Sequence, residues 1–400
     1  MKGFTLSRFS ALVAGFVVLM SFSLSAKASS EGGKEKFNAG EMILHHVQDA
    51  HEIHFFTTPS GHHYSLHLPI ILYTDKGFDV FSSARFMDEN HDPATYTSEK
   101  TGYTFSLEHE HISIVTPNDH NHEEMHTEKV VDSMMNDSMV SDSAEVMAVE
   151  LVSESHEGEH HAEGPAVYDL SITKTVAGMF LTMIILFWLF FTAAKGYKTN
   201  KGKAPKGIQS FLEPLIIFVR DEVAKPSIGK HYEKFTPFLL SVFFFIWVGN
   251  ILGLIPFLGG LNITGNIAVT LVLALFAFGV TTINGNANYW KHIFATPGVP
   301  VWLLPIMVPI ELLGMINKPV VLMLRLFANI TAGHIIILSF VSLIFIFGET
   351  SVGTGYGVSV GSVVFLVFMT CLEVLVAFLQ AYVFTLLSAL YFGMATEEHH

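Results

Sequence analysis

Half of the 400 residues are hydrophobic and only 14% are charged, well below the roughly 25% charged usage of a soluble domain, which excludes an ordinary soluble enzyme. The net charge of -14 is unevenly spread: 27 Asp/Glu stand against 6 Lys/Arg between Ser29 and Leu170, but 9 against 13 from Ser171 onward. The only large soluble stretch would therefore repel phosphates, so no nucleic-acid partner is expected, and the single cysteine, Cys371, excludes a disulfide framework or a cysteine-ligated metal.

In chain order, Lys2 and Arg8 precede an apolar stretch from about Phe9 to Leu24, and Ser25-Ala26-Lys27-Ala28 ends in a small-x-small pattern. This predicts a signal peptide over residues 1–28, with an uncleaved first helix as the alternative. Residues 29–117 mix β-favouring runs, such as His67 to Tyr73 and Tyr103 to Leu107, with Asp-Lys-Gly and Asn-His-Asp-Pro turn signals. They predict a small exported domain, partly β. Residues 118–170 are rich in His, Met, Ser and acid, with almost no aromatics, and predict a disordered or loosely helical linker.

Residues 171–400 form the membrane part. Thr175 to Ala194 carry no charge and are bracketed by Lys174 and Lys195, a length that crosses a ~30 Å hydrocarbon core. Nine Lys/Arg between Lys195 and Lys234 place the next segment in the cytoplasm and the acidic region outside. No Asp, Glu, Lys or Arg occurs from Phe235 to Trp290, and turn-forming residues near Pro256 and Asn262 break that run into a helical hairpin. Two longer segments follow, separated by the Gly-rich stretch Gly348 to Gly357, and both are too long to stand upright in the bilayer. The expected spans are about 175–195, 236–258, 265–287, 305–347 and 361–394. The fold class is an all-α membrane protein of about five transmembrane helices. Two of these are long, tilted and paired as an antiparallel hairpin, and a small partly β or disordered exported region precedes them.

The long segments hold few ionisable groups: Glu311, Lys318, Arg325, His334 and Glu373. A charge at bilayer depth costs about 2.5 to 3.5 kcal/mol on insertion scales, so such groups face protein or water and mark a functional site. Arg325 cannot readily be neutralised and is a fixed cation in an apolar helix. Glu311, Lys318 and Arg325 are seven apart with Asn329 four further on, one helical stripe, and Glu373 and Gln380 are likewise seven apart. In an antiparallel hairpin, pairing Arg325 with Gln380 sets His334 within a turn of Glu373, at another depth and side from Arg325.

Leu324-Arg-Leu-Phe-Ala-Asn-Ile-Thr-Ala-Gly-His334, followed by Glu373 and by the glutamine of Leu379-Gln-Ala-Tyr-Val-Phe384, closely resembles subunit a of the F-type, rotary ATP synthases. Glu311 with Asn317-Lys-Pro319, Asn250 to Pro256, and Met394 to His399 extend the resemblance over about residues 170–399. It implies a non-catalytic ion-translocating subunit of a bacterial inner membrane, with a ring of c subunits, a peripheral-stalk b subunit and, through it, the catalytic head as partners. It also implies that Arg325 faces the ring carboxylate, with Asn329 and Gln380 beside it. His334 and Glu373 then belong to the outer half-channel and Glu311 lies near the inner one. The exported region departs from the short family form.

Two other classes stay open. Sixteen of the 21 histidines fall between His45 and His161, which suits a divalent-metal transporter with a metal-collecting region, although neither cysteines nor a fixed ligand spacing accompany them. A receptor or sensor built on the acidic exported region would need neither Arg325 nor Gln380. No cofactor is expected.

Overall fold

The computed structural model describes residues 40, 48–57, 63–87, 94–108, 110–115, 167–200, 203–255, 260–294 and 300–396. The expected signal peptide, most of the expected linker and the last four residues lie outside the described residues. The chain divides into a unit spanning Leu44–Thr175 and a second unit that contains Val176–His400.

Among the described residues of the first unit, short runs of β-branched and aromatic residues form eight strands. β1 (Glu52–Thr57) pairs antiparallel with β2 (His63–His67). A second sheet has the order β4-β3-β8, from β3 (Pro69–Thr74), β4 (Gly77–Ser82) and β8 (Tyr168–Asp169). A third is built from β5 (Tyr96–Thr97), β6 (Thr104–Glu108) and β7 (His111–Ile114). The tight β3–β4 turn uses Gly77 at a φ of 116°, open to a residue without Cβ. Ile70, Leu72, Phe86 and Phe105 form the core, with Phe81 stacked at 6.2 Å on Phe105.

The last strand falls inside the stretch expected to be linker. Tyr168 and Asp169 pair with Tyr73 and Leu72. Backbone bonds from Leu170 to Ile71, Ile172 to Pro69 and Lys174 to Ala50 then hold the segment to the unit. A two-residue strand is too short to show alternation, and the neighbouring acidic tract masked it. Buried His51 ties the same segment down: Nδ1 lies 3.3 Å from Glu110 Oε2 and Nε2 lies 3.1 Å from Asp169 Oδ2.

The second unit is helical: α1 (Lys174–Thr199, shared with the first unit at its start), α2 (Ile208–Phe218), α3 (Lys225–Ile228), α4 (Tyr232–Gly253), α5 (Ile267–Ile283), α6 (Ala287–Phe294), α7 (Leu304–Thr350) and α8 (Val352–Thr396). Among the described residues, four helical stretches are long and apolar enough to cross a membrane, Lys174–Thr199, Ile208–Gly253, Leu304–Thr350 and Gly353–Thr396. α5 with α6, bent by 104°, makes a fifth if counted as one broken span. The basic stretch before Lys234 is more helical than its lysines suggest. Leu212, Val219, Val223 and Ala224 turn inward to join Leu239, Phe243, Phe244, Phe384 and Phe392 in the main core.

The helices α7 and α8 run 47 and 45 residues, broken only at Ser351, whose extended backbone (φ -162°, ψ 150°) reverses the chain. The Gly-rich stretch 348–357, expected as a connector, is thus mostly helix. Glycine is a poor helix former, but here it permits close passage: a Cβ on Gly355 would sit 2.8 Å from the Gly348 Cα. Buried hydroxyls on α8 bond back to their own helix, Thr385 to Ala381 O and Ser388 to Phe384 O, which satisfies them without water.

Candidate functional site

The hairpin register is fixed by four contacts along α7 and α8: Gly348 with Gly355, Phe340 stacked at 4.0 Å on Phe365, Gly333 with Glu373, and Lys318 Nζ 5.4 Å from the Tyr391 ring centre. Interpolating between the last two sets Arg325 at the level just past Gln380. Side chains on these helices therefore meet in the antiparallel order that the spacings predict.

Arg325 lies near the midpoint of α7 and is exposed, as is Asn329 one turn on. Both belong to a stripe of exposed positions at helical spacing that includes Gly314, Asn317, Val321, Ala332 and Ile336. At 1.5 Å per residue Arg325 is more than about 30 Å from either end of α7.

Gln380 and Glu373 face inward, each 8% exposed. The Glu373 carboxylate rests against the α7 backbone at Gly333: a Cβ there would stand 2.5 Å from Oε1 and 3.3 Å from Cδ. His334, half-buried, is the next residue. The structure thus brings Glu373 to the turn that carries His334, eight residues beyond Arg325.

On the other side of Arg325, Lys318 is half-buried against Tyr391, and Glu311, also half-buried, stands one heptad earlier on the same helix. Tyr289, Thr281, Lys318 and Tyr391 border a cleft with room for about one water. The expected single stripe is only partly kept. Seven residues fall about 20° short of two full turns, so Glu311 and Lys318 drift from the direction of Arg325, and Lys318 turns against α8 while Arg325 is exposed.

Gly333 and Tyr391 were missed in the sequence. Gly333 carried a signal, because a glycine inside a long helix costs about 1 kcal/mol relative to alanine and needs a packing reason. Tyr391 carried none. Among the described residues, no group of three or more His, Cys, Asp or Glu is placed to hold a metal ion.

Known proteins resemble this chain over its helical region. The family model described as ATP synthase A chain matches residues 176–393, and a model of a domain of unknown function, DUF8433, matches residues 42–133. The chain is 45% identical over 240 residues to "ATP synthase subunit a" of Chloroherpeton thalassium, covering 58% of this chain and 69% of that one. It is 48% identical over 237 residues to "ATP synthase subunit a 2" of Chlorobaculum tepidum, covering 58% and 65%. With "ATP synthase subunit a" of Myxococcus xanthus it shares 44% identity over 253 residues, covering 60% and 80%. The match takes in more than half of the chain, including Arg325, His334, Glu373 and Gln380, and on that ground the chain belongs to the ATP synthase A chain family.

Proposed function

We propose that the chain is the stationary membrane subunit of a rotary ATP synthase, supplying two half-channels through which protons reach and leave a carboxylate on a rotating ring of c subunits. It couples ion flow to rotation and performs no bond chemistry itself. The ring lies along the exposed face of α7 and α8. A b subunit of the peripheral stalk joins the chain to the catalytic head. In the bacterial inner membrane the first unit is exported after removal of residues 1–28, and the C-terminus is cytoplasmic.

One observation carries this reading: Arg325 is exposed at the middle of a 47-residue apolar helix. Lipid would leave that guanidinium unpaired at a cost of several kcal/mol, whereas a mobile carboxylate arriving on a partner would satisfy it. Because arginine stays protonated, it attracts the carboxylate and blocks direct passage of cations. Asn329 and Gln380 flank this point, the Glu373 and His334 pair serves the outer half-channel, and Glu311 stands at the inner one. The divalent-metal alternative is not favoured, since the matching relatives are ATP synthase subunits and a permanent cation sits where a metal would pass.

Arg325→Ala should abolish ATP-driven proton pumping in an assembled complex, and Arg325→Lys should fail as well, because an ammonium lacks the planar fork and loses its proton more easily when desolvated. Wild-type pumping by a well-assembled Arg325→Ala complex would overturn the mechanism.

A further inference from the structure

The sheet β4-β3-β8 of the first unit has an unusual outer face. An antiparallel sheet with one face on the core should alternate apolar inward with polar outward. The inward set obeys this at Ile70 and Leu72 and departs from it at buried Asp79, which is satisfied by accepting from the Thr101 hydroxyl at 3.0 Å. The outward set does not. Two cross-strand rows, Phe78–Tyr73–Tyr168 and Val80–Ile71–Leu170, follow directly from the strand register. Five of the six side chains are between 43% and 62% exposed. The rings of Phe78 and Tyr168 lie 4.8 and 6.3 Å from that of Tyr73, so the upper row is one continuous aromatic strip. Contiguous apolar surface of this kind is rare on a solvated domain and marks an interaction site.

Chain connectivity identifies the occupant. Leu170 precedes Lys174, the first residue of a membrane-crossing helix, by four residues. Even fully extended, those residues reach at most about 14 Å, while the polar interface of a bilayer is about 5 to 8 Å deep on each side. The segment is also bonded to the unit as far as Lys174. Tyrosines that combine an apolar ring with a polar tip are the residues favoured at that depth. The six grid positions carry no Asp, Glu, Lys or Arg, in a region otherwise dominated by acid, so attraction to anionic headgroups is not what the grid offers.

We infer that the outer face of the β4-β3-β8 sheet is a membrane-docking surface that seats the first unit in the lipid interface, through aromatic and aliphatic insertion rather than charge.

The test uses the full chain, with Cys371→Ser to free the background, in phosphatidylcholine nanodiscs holding one chain each. Nitroxide labels are placed at Val80→Cys on the grid and at Lys100→Cys, an exposed polar position elsewhere on the unit, and their collisions with oxygen and with a water-soluble nickel chelate are compared. The oxygen-to-nickel ratio should be severalfold higher at Val80 than at Lys100 and unchanged by salt, and Phe78→Glu or Leu170→Glu should bring it down to the Lys100 value. Equal ratios at the two sites would overturn the inference. So would a Val80 label shielded from both probes only when two chains share a disc, which would mean that the face is a protein interface instead.

Discussion

Replacing Gly333 with alanine tests whether the position of the Glu373 carboxylate, and not merely its presence, matters to transport. The new methyl group would begin 2.5 Å from Oε1, against about 3.4 Å for ordinary contact, so the carboxylate must retreat by about 0.9 Å. Because the obstacle is the far end of a flexible side chain, a change of rotamer relieves it for about 0.5 to 1.5 kcal/mol. The gain in helix propensity on removing a glycine offsets about 1 kcal/mol of that. Stability and insertion should thus barely change. Misplacing a reacting group by 1 Å can cost about 100-fold, so proton conduction should fall about 10- to 100-fold. The assay is passive proton flux through the membrane sector in vesicles, alongside quantification of the assembled complex. Wild-type flux in a fully assembled Gly333→Ala complex would refute the reasoning, and so would loss of assembly, since that would mean the glycine serves packing alone.

The pairing proposed for His334 and Glu373 predicts non-additivity: His334→Ala and Glu373→Ala should each slow conduction, the double variant should cost much less than their product, and exchanging the two residues should restore part of the flux, whereas multiplicative losses without rescue would separate the two sites. In the first unit burial alone would lower the His51 pKa, but its hydrogen bonds to Asp169 and Glu110 and the charges of both outweigh that and raise it from 6.5 to about 9. A raised folded-state pKa stabilises fully below pH 6.5 and is lost as pH rises through 9, so about 3 kcal/mol of clamp stability should disappear over that window. Protection factors of the amides of residues 168–174, referred to the intrinsic base-catalysed exchange rate, should fall between pH 6.5 and 9 and already be low at neutral pH in His51→Gln; protection in the wild type that does not change over that window would contradict it. In a Cys371→Ser background, a cysteine at Ser351 should react with an impermeant reagent from outside and one at Lys203 only after permeabilisation, and the reverse pattern would refute the orientation.

The helical region was legible because its signals are long. Uncharged runs of twenty residues or more cannot be hidden by a few misplaced side chains, and a seven-residue spacing between rare ionisable groups survives into an antiparallel hairpin. What could not be read depended on small residues and on pairing at a distance. The extension of α8 back to Val352 turns on glycines that look like a loop but pack backbone against backbone, as at Gly355 and Gly348. The helix Ile208–Phe218 was masked by neighbouring lysines, because a charge count reports the cytoplasmic side and not the apolar face beneath it. β8 is two residues long and pairs with a strand almost a hundred residues earlier, a separation that no local pattern encodes.

The distribution of polar groups along the hairpin bears on why such a subunit needs a moving partner at all. Measured along α7 from Arg325, Gly333 with its Glu373 carboxylate lies about 12 Å towards Ser351, while Lys318 lies about 10 Å and Glu311 about 21 Å towards the opposite end. The polar groups therefore fall in two sets at different depths, with the one permanent cation between them. A continuous pore would short-circuit the membrane potential, and an arginine across it would block cations in both directions. Two dead-ended paths meeting at an exposed guanidinium have neither defect, provided that something carries the ion laterally from one to the other. The exposed stripe of small and apolar residues around Arg325 suits a surface that must slide: it offers few directional bonds to hold a passing helix, and a single charge to stop it at one place. On this argument a second exposed cation on that stripe, for example Asn317→Arg two turns away, should arrest rotation by holding the ring carboxylate at the wrong depth while leaving assembly intact. Unimpaired pumping in that variant would mean that the stripe does not face the ring.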